Sequence, residues 1–124
     1  MKRVILYVDD ELSNLRIFKD TFRRDFDVLL ASSGAEALEI LQNKRVDVVI
    51  TDQRMPGMSG VELLAVVNSR FPSIPPNRVI LSGFAEDADI KLAFDQYRLS
   101  RFIPKPWDYD VLKLEIINAF SNIE

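Results

Sequence analysis

The sequence contains no cysteine and no histidine. Without cysteine, the chain can form neither a disulfide framework nor a thiolate metal site. Without histidine, it has no imidazole zinc ligand, no Ser-His-Asp triad and no histidine to act as a general acid or base. Any metal site in this chain must therefore use oxygen ligands.

Long apolar runs and an excess of basic charge are also missing. No apolar run approaches the roughly 18 residues that span a membrane, and the N-terminus, Met1-Lys2-Arg3 before a short apolar run, is too short for a signal peptide. Sixteen basic and nineteen acidic residues give a net charge of −3, which offers no attraction to nucleic acid or an anionic membrane. We therefore expect a cytoplasmic protein that binds neither nucleic acid nor membrane directly.

The composition that is present is that of one globular domain. The chain has 124 residues, of which 48% are hydrophobic and 28% charged, and this is long enough to bury a hydrophobic core. No sequence repeat, low-complexity tract or interdomain linker interrupts it. Residues 1–124 are therefore interpreted as a single domain.

Short apolar runs alternate with segments of helical spacing. The first and third runs are continuous and rich in β-branched residues, which is typical of parallel strands that are covered on both faces. The predicted strands are Val4–Val8, Val28–Ala31, Val46–Thr51, Val79–Leu81 and Phe102–Ile103.

Two helices are predicted in the first half of the chain. The second of them opens with a capping box in Ser33-Gly34-Ala35-Glu36 and runs to about Asn43. The first has Ser13 or Asn14 near its start. Its buried face is predicted to consist of Leu12, Leu15, Phe18 and Phe22.

Three more helices are predicted in the second half. One begins at Ser59 or Gly60 and stops at Phe71-Pro72, one runs from about Glu86 to Gln96, and the last begins at Asp108. Strand followed by helix, repeated five times, implies a parallel sheet with helices on both faces and right-handed crossovers. The predicted inward residues are Val61, Leu64 and Val67 in the third helix and Val111, Leu112, Ile116 and Phe120 in the last.

Polar residues follow four of the predicted strands. In folds of this kind, ligands bind outside the carboxyl ends of the strands. The segments at those ends are Asp9-Asp10-Glu11, Thr51-Asp52, Leu81-Ser82-Gly83 and Pro104-Lys105-Pro106. From these segments we expect the carboxylates of Asp9, Asp10 and Asp52, the hydroxyl of Ser82 and the ammonium group of Lys105 to converge on one edge of the sheet.

Carboxylates in a cluster repel one another unless a cation or a proton intervenes. With oxygen ligands only, the cation that fits is Mg²⁺, with Mn²⁺ as a substitute. Mg²⁺ commonly bridges carboxylates to a phosphate group. Lys105 offers the phosphate oxygens a second positive charge, and Ser82 offers them a hydrogen-bond donor. A carboxylate can itself be the nucleophile and form an aspartyl phosphate. Taken singly, such an Asp is usually a helix cap and such a Lys is usually solvated, but their joint occurrence favours phosphoryl chemistry.

At these residues the chain resembles the receiver domains of two-component response regulators. The resemblance extends over essentially the whole chain, and it rests on Val8–Glu11, Thr51–Gly60, Leu81–Gly83 and Phe102–Asp108. It implies a flavodoxin-like, doubly wound (βα)5 fold of the α/β class. In that fold the five-stranded parallel sheet has the strand order 2-1-3-4-5.

The resemblance also assigns roles at the acidic edge. It implies that Asp52 is the phosphorylated residue. Mg²⁺ is then held by Asp9, Asp10, Asp52 and the backbone carbonyl of Arg54. Arg54 and Phe84 are the positions that flank the hydrolytic water, and because both are bulky we expect slow autodephosphorylation.

Three further expectations concern the phosphoryl contacts, the conformational switch and one peptide bond. Ser82 and Lys105 are expected to contact the phosphoryl group, with Ser82 in place of the commoner threonine. Ser82 and Phe102 are expected to form the switch, in which Phe102 changes rotamer on activation. The Lys105-Pro106 bond is expected to be cis.

As a class, the resemblance implies a phosphorylation-dependent regulator and not an enzyme. A sensor histidine kinase or phosphotransfer protein would donate the phosphoryl group, and an output domain or downstream protein would respond. Phosphorylation-dependent homodimerisation is a further expectation. The Lys105–Asp108 segment is similar to that of receivers joined to varied output domains, so the chain would suit the N-terminal part of a longer regulator. Phe94, Gln96 and Tyr97 stand where small residues often occur, which leaves the partner at that face open.

Two other classes share part of this pattern. Phosphatases of the haloacid-dehalogenase type also use an aspartyl phosphate, but they need a second Asp two residues later, where this chain has Arg54. Flavodoxin-like FMN modules share the topology, but the acidic Asp9-Asp10-Glu11 would repel the FMN phosphate. Turnover of a phosphomonoester or a flavin spectrum would support one or the other.

Overall fold

The computed structural model describes residues 2–71, 78–82 and 99–120, with the backbone alone at 82, 99–101 and 120. The helix predicted over Glu86 to Gln96 lies outside these residues. In chain order the elements are β1 (Val4–Val8), α1 (Leu12–Phe22), β2 (Asp27–Ala31), α2 (Gly34–Asn43), β3 (Val48–Asp52), α3 (Gly60–Arg70), β4 (Arg78–Ser82), β5 (Leu99–Pro104) and α4 (Tyr109–Phe120).

The strands form one parallel sheet in the order β2-β1-β3-β4-β5. This order confirms the predicted doubly wound α/β fold. The register pairs Val8 with both Ala31 and Thr51, and Asp52 with Leu81. The carboxyl ends of β1, β3 and β4 therefore meet at one edge, where the sequence places its acidic residues.

Alternating side chains of β1 divide the hydrophobic core into two clusters. Ile5 and Tyr7 belong to the first cluster, which includes residues of α1 and α4, whereas Leu6 and Val8 belong to the second, which includes residues of α2 and α3. All four side chains are buried, because helices cover both faces of the sheet. Each fully buried side chain of this size contributes about 1.5–3 kcal/mol to folding.

The predicted strand bounds are right to within a few residues. The largest differences are in the third strand, which begins at Val48 and not at Val46, and in the fifth, which extends over Leu99–Pro104. Asp47 precedes the third strand because its carboxylate accepts a hydrogen bond from the Val4 amide at 2.8 Å. The backbone amide of Asp47 also donates to the Val4 carbonyl, at 2.9 Å.

One prediction about a helix start is wrong in part. α1 begins at Leu12, so Ser13 and Asn14 do lie near its start. At α2, Ser33 does accept from the amide of Glu36, but the Glu36 carboxylate accepts from the amide of Ser32 instead of Ser33, so the capping box is only half formed. The reciprocal pair of bonds forms one helix later, between Ser59 and Glu62.

Two residues predicted to be buried are exposed. Leu12 is 65% exposed, although Leu15, Phe18 and Phe22 on the same stripe are buried. Leu12 is the first residue of α1. Val111 is 57% exposed, because the buried stripe of α4 passes through its neighbour, and successive helical residues are about 100° apart. That stripe is Leu112, Ile116 and Ala119.

Within the described ranges, none of the helices has both the length and the apolar character required to cross a membrane.

Candidate functional site

Three carboxylates meet at the carboxyl edge of the sheet. Asp9 and Asp10 follow β1, and Asp52 is the last residue of β3. One carboxylate oxygen from each residue lies within 4.8 Å of those from the other two. Asp9 is fully buried, Asp52 is partly buried and Asp10 is exposed, so the cluster extends from the interior to the surface. The predicted grouping of these acids is confirmed.

Lys105 supplies the positive charge that was expected at this edge. It follows β5, and its Nζ lies 3.3 Å from Asp9 Oδ2 and 3.3 Å from Asp52 Oδ1. Its side chain is 25% exposed, so the ammonium lies between the buried carboxylate and solvent. The peptide bond from Lys105 to Pro106 is cis, as the family resemblance implied.

The buried Asp9 carboxylate is surrounded by hydrogen-bond donors. Its Oδ2 accepts from the Tyr7 hydroxyl at 2.7 Å, from Asn14 Nδ2 at 3.2 Å and from Lys105 Nζ at 3.3 Å. Its Oδ1 accepts from the backbone amide of Glu11 at 3.0 Å. Burying a charge is costly unless it is paired and hydrogen-bonded, and these contacts meet that need.

Sequence reasoning missed Tyr7 and Asn14 as site residues. Tyr7 precedes Asp9 by two residues, and residues two apart in extended chain point to the same face. That spacing was the available signal. Asn14 lies in the first turn of α1, and nothing in its spacing singles it out.

The charges at this edge perturb one another. Burial raises the pKa of the Asp52 carboxyl; Lys105 opposes this rise and Asp9 adds to it, so the pKa lies above its ordinary value. Burial alone would lower the pKa of Lys105, but the carboxylates of Asp52 and Asp9 outweigh it and hold that pKa above its ordinary value. Three carboxylates also converge where Lys105 supplies one ammonium group, so negative charge is in excess at the cluster.

The Tyr7 hydroxyl remains protonated at neutral pH. Burial, followed by the nearby Asp9 charge, raises the pKa of Tyr7 far above its ordinary value. The phenol is therefore a hydrogen-bond donor to Asp9 and not a competing negative charge.

The segment after Asp52 is fixed by Gln53, another residue that sequence reasoning missed. The Gln53 side chain is 2% exposed, and its Oε1 accepts from the Val61 amide at 2.9 Å. Its backbone carbonyl accepts from the Gly60 amide at 2.9 Å. A Cβ atom at position 60 would collide with the Asp52 carbonyl, so a glycine there allows α3 to begin directly against the site.

The remaining predicted site residues are placed less fully. The backbone of Ser82 ends β4 and pairs with Pro104, beside Lys105, but its side chain and the whole of Phe84 lie outside the described atoms. Arg54 follows Asp52 with an exposed side chain. Phe102 lies on β5 opposite Ile80 and is partly buried against the second core cluster.

The donor set fits a hard divalent cation. All three converging side chains offer carboxylate oxygens, and Mg²⁺ prefers one or two protein carboxylates together with water and phosphate oxygens. The excess negative charge favours a cation at the same place.

Comparison with known proteins identifies the family. The family model described as "Response regulator receiver domain" matches residues 5–117. The hydrogenase transcriptional regulatory protein HoxA of Cupriavidus necator is 38% identical over 108 residues, which cover 87% of this chain and 22% of that protein. The DNA-binding transcriptional regulator NtrC of Escherichia coli K12 is 32% identical over an alignment that covers 100% of this chain and 26% of that protein.

Solved structures agree with this assignment. The signal receiver domain of an HD domain-containing protein from Pseudomonas fluorescens Pf-5 has a TM-score of 0.90 at 28% identity, covering 98% of this chain and 96% of that one. A response regulator receiver domain protein from Clostridium thermocellum has a TM-score of 0.84 at 31% identity, covering 98% and 96%.

The chain belongs to the response regulator receiver domain family. It is a phospho-acceptor signalling module of two-component systems. The chain spans about a quarter of the length of the curated relatives described above.

Proposed function

We propose that Asp52 is the residue that accepts the phosphoryl group. The observation that supports this most strongly is its position at the end of β3, where its carboxylate lies beside two other acids and 3.3 Å from Lys105 Nζ. It is only partly buried, so a phosphodonor can reach it. Asp9, by contrast, is fully buried and hydrogen-bonded on both oxygens.

In the proposed reaction, an Asp52 carboxylate oxygen attacks the phosphorus of the donor. The new oxygen–phosphorus bond forms as the bond from phosphorus to the donor atom breaks, and that atom leaves with the electron pair. Lys105 already lies against Asp52 Oδ1, so its ammonium can contact a phosphoryl oxygen. We assign the Ser82 hydroxyl to a second phosphoryl oxygen.

The cofactor of this proposal is Mg²⁺, with Mn²⁺ as a substitute. Asp9, Asp10, Asp52 and the backbone carbonyl of Arg54 would hold it. When bound, the metal would neutralise negative charge on the phosphoryl oxygens and on the carboxylates. The oxygen-only donor set supports this choice.

Phosphorylation by a small-molecule donor tests the proposal directly. With Mg²⁺ and acetyl phosphate, the intact mass should rise by one phosphoryl group. Peptide mapping after borohydride reduction, which converts an aspartyl phosphate to homoserine, should identify Asp52. A modified peptide that lacks Asp52 would contradict the proposal.

Membership of the receiver domain family supports a proposal about partners. We propose that residues 1–124 act as one receiver domain, that a sensor histidine kinase or phosphotransfer protein donates the phosphoryl group, and that the domain regulates a longer protein. HoxA and NtrC are named as transcriptional regulators, which supports an output of that kind, with no nucleic-acid binding by this domain itself. A cytoplasmic location, a Lys-Pro-Trp-Asp receiver subtype and phosphorylation-dependent homodimerisation remain parts of the proposal.

The lifetime of the phosphorylated state is expected to be long. Hydrolysis needs a water aligned with the phosphorus, and neither Arg54 nor Phe84 offers a carboxylate or amide to orient it. The double variant Arg54→Asn, Phe84→Glu should therefore lose the phosphoryl group about tenfold faster, as measured by intact mass after removal of the donor. A double variant that is equal to or slower than wild type would contradict this.

The conformational response is expected to depend on Ser82. A ligand shifts an equilibrium only by binding one state better, so the phosphoryl group must bond the Ser82 hydroxyl better in the active state, which gives the Phe102 ring room to turn inward. Ser82→Ala should accept the phosphoryl group on Asp52 but show smaller amide chemical-shift changes over residues 91–102 with beryllofluoride. The same full set of shifts as in wild type would mean that the coupling takes another route.

A further inference from the structure

The Tyr7 hydroxyl is a polar group in an otherwise apolar strand. Tyr7 is 1% exposed, and its neighbours Leu6 and Val8 are both fully buried and apolar. Its hydroxyl donates to Asp9 Oδ2 at 2.7 Å, the shortest of the hydrogen bonds to Asp9 given above. We propose that Tyr7 is a positioning residue for the metal site, which fixes the Asp9 carboxylate through this bond.

The ring of Tyr7 holds its hydroxyl in a fixed place. Tyr7 lies on β1, which is paired with a strand on each side. Its ring stacks on Phe18 with centroids 4.1 Å apart and an interplanar angle of 15°, and Phe18 in turn contacts Trp107 edge to face at 6.4 Å. A donor on so rigid a support restricts the orientation of the carboxylate that accepts from it.

The oxygen that Tyr7 bonds shares an ion-pair partner with Asp52. Lys105 Nζ lies 3.3 Å from Asp9 Oδ2 and 3.3 Å from Asp52 Oδ1, so both oxygens border the same ammonium group. In the proposed function, this is where a divalent cation and a phosphoryl group arrive and where Lys105 turns to the phosphoryl oxygens. Asp9 then loses part of its contact with Lys105.

Neutral hydrogen-bond donors can keep the Asp9 carboxylate in place when Lys105 turns to the phosphoryl oxygens. Tyr7 and Asn14 both donate to Oδ2, and neither adds a positive charge that would repel the incoming cation. Tyr7 is the stronger candidate because its bond is 2.7 Å and buried, whereas the Asn14 bond is 3.2 Å and part-buried. The inference rests on the proposed function, since it assigns Tyr7 a role toward the same metal.

Tyr7→Phe removes the hydroxyl and keeps the ring. We expect its Mg²⁺ dissociation constant to rise about tenfold, as is usual for loss of a partner that orients a metal ligand. Calorimetry gives this constant without any phosphorylation, and Trp107 fluorescence gives it independently. With acetyl phosphate, the rate should fall at low Mg²⁺ and return to the wild-type rate at saturating Mg²⁺. A purely structural role would not produce such a recovery.

Tyr109→Phe is the matched control. It removes one phenol hydroxyl that donates to a carboxylate, Asp25, at 3.0 Å, and Asp25 is not part of the acidic cluster. Its Mg²⁺ constant should stay within twofold of wild type. Asn14→Ala removes the other neutral donor from the same oxygen and should weaken Mg²⁺ binding less than Tyr7→Phe does.

Two results from Tyr7→Phe would overturn the inference. One is a Mg²⁺ dissociation constant within twofold of wild type; the other is a phosphorylation rate that stays below the wild-type rate at saturating Mg²⁺. Failure of the proposed function would give a different result from failure of this inference, because Asp52→Asn would then still accept the phosphoryl group. A wild-type protein that does not bind Mg²⁺ would overturn the inference as well as the metal assignment.

Discussion

Asp52→Asn is expected to reduce phosphorylation by acetyl phosphate to background. The substitution keeps the size of the side chain but replaces the anionic oxygen that attacks phosphorus by a neutral amide, which is a far weaker nucleophile. Lys105 and the other two carboxylates remain in place. The intact mass should therefore show no added phosphoryl group under conditions that fully modify the wild-type protein.

Loss of modification in this variant should not come from unfolding. Burial and Asp9 hold the pKa of the Asp52 carboxyl above its ordinary value even though Lys105 lowers it, so the charged form is disfavoured in the folded protein. A neutral amide at this position relieves repulsion among the clustered acids. In metal-free buffer with EDTA, the urea midpoint of Asp52→Asn should be at least that of wild type.

Asp27→Asn is the control for the change from carboxylate to amide. Asp27 is exposed and begins β2, where it pairs with Val4 at the amino ends of the strands. It is therefore at the edge of the sheet opposite the acidic cluster, and its substitution should leave phosphorylation unchanged. One phosphoryl group added to Asp52→Asn as readily as to wild type would place the acceptor elsewhere.

The main features of the site could be predicted because they depend on topology. Parallel strands end at the same edge of a sheet, so Asp9, Asp10, Asp52 and Lys105 had to converge once their strands were recognised. No side-chain geometry was needed for that step. The metal class followed from chemistry alone, since the sequence offers neither thiol nor imidazole.

The burial of individual helix residues depends on which part of the helix packs against the sheet. The spacing of apolar residues in the sequence does not determine this. The stripe of α1 was predicted correctly at Leu15, Phe18 and Phe22, but Leu12, the first residue of the helix, is exposed. The last helix, α4, has a second apolar stripe, represented by Val111 and exposed beside the buried one. Sequence spacing alone does not tell which of two apolar stripes faces the sheet.

Individual hydrogen bonds were the least predictable. Glu36 can reach the amide of Ser32 or that of Ser33, and the choice depends on side-chain rotamers within one turn of chain. Tyr7 could be interpreted as an ordinary core aromatic from its position in an apolar strand, because its role depends on the 2.7 Å bond of its hydroxyl to Asp9. Such contacts depend on distances of a few tenths of an ångström, which residue patterns do not specify.

Asp10→Ala is expected to raise the Mg²⁺ dissociation constant about 100-fold. Loss of a residue that only orients a metal ligand typically costs about 10- to 100-fold, and loss of a ligand itself should be at the upper end of that range. Asp10 is exposed, whereas Asp9 is fully buried, so Asp10 is the acid of the pair that can bind a hydrated cation at the surface directly. Alanine removes both its oxygens and its charge. Because Asp10 lies at the surface, the fold should tolerate the change.

Glu11→Ala separates the loss of a ligand from the loss of a charge. Glu11 is exposed and adjacent in sequence, but its carboxylate is not one of the three that converge. Its contact with Asp9 is through its backbone amide, which alanine retains. Removing this charge should weaken Mg²⁺ binding no more than about threefold in 0.15 M salt, where exposed charges are largely screened.

The measurement is a Mg²⁺ titration followed by Trp107 fluorescence, with calorimetry as a second method. Trp107 is two residues beyond Lys105 and contacts Phe18 and Phe22, so its environment is connected to the cluster. In metal-free buffer, Asp10→Ala should unfold at a urea concentration no lower than wild type, since one repelling carboxylate is gone. A titration midpoint equal to that of wild type, or a shift no larger than that of Glu11→Ala, would remove Asp10 from the metal site and leave the cation to Asp9 and Asp52.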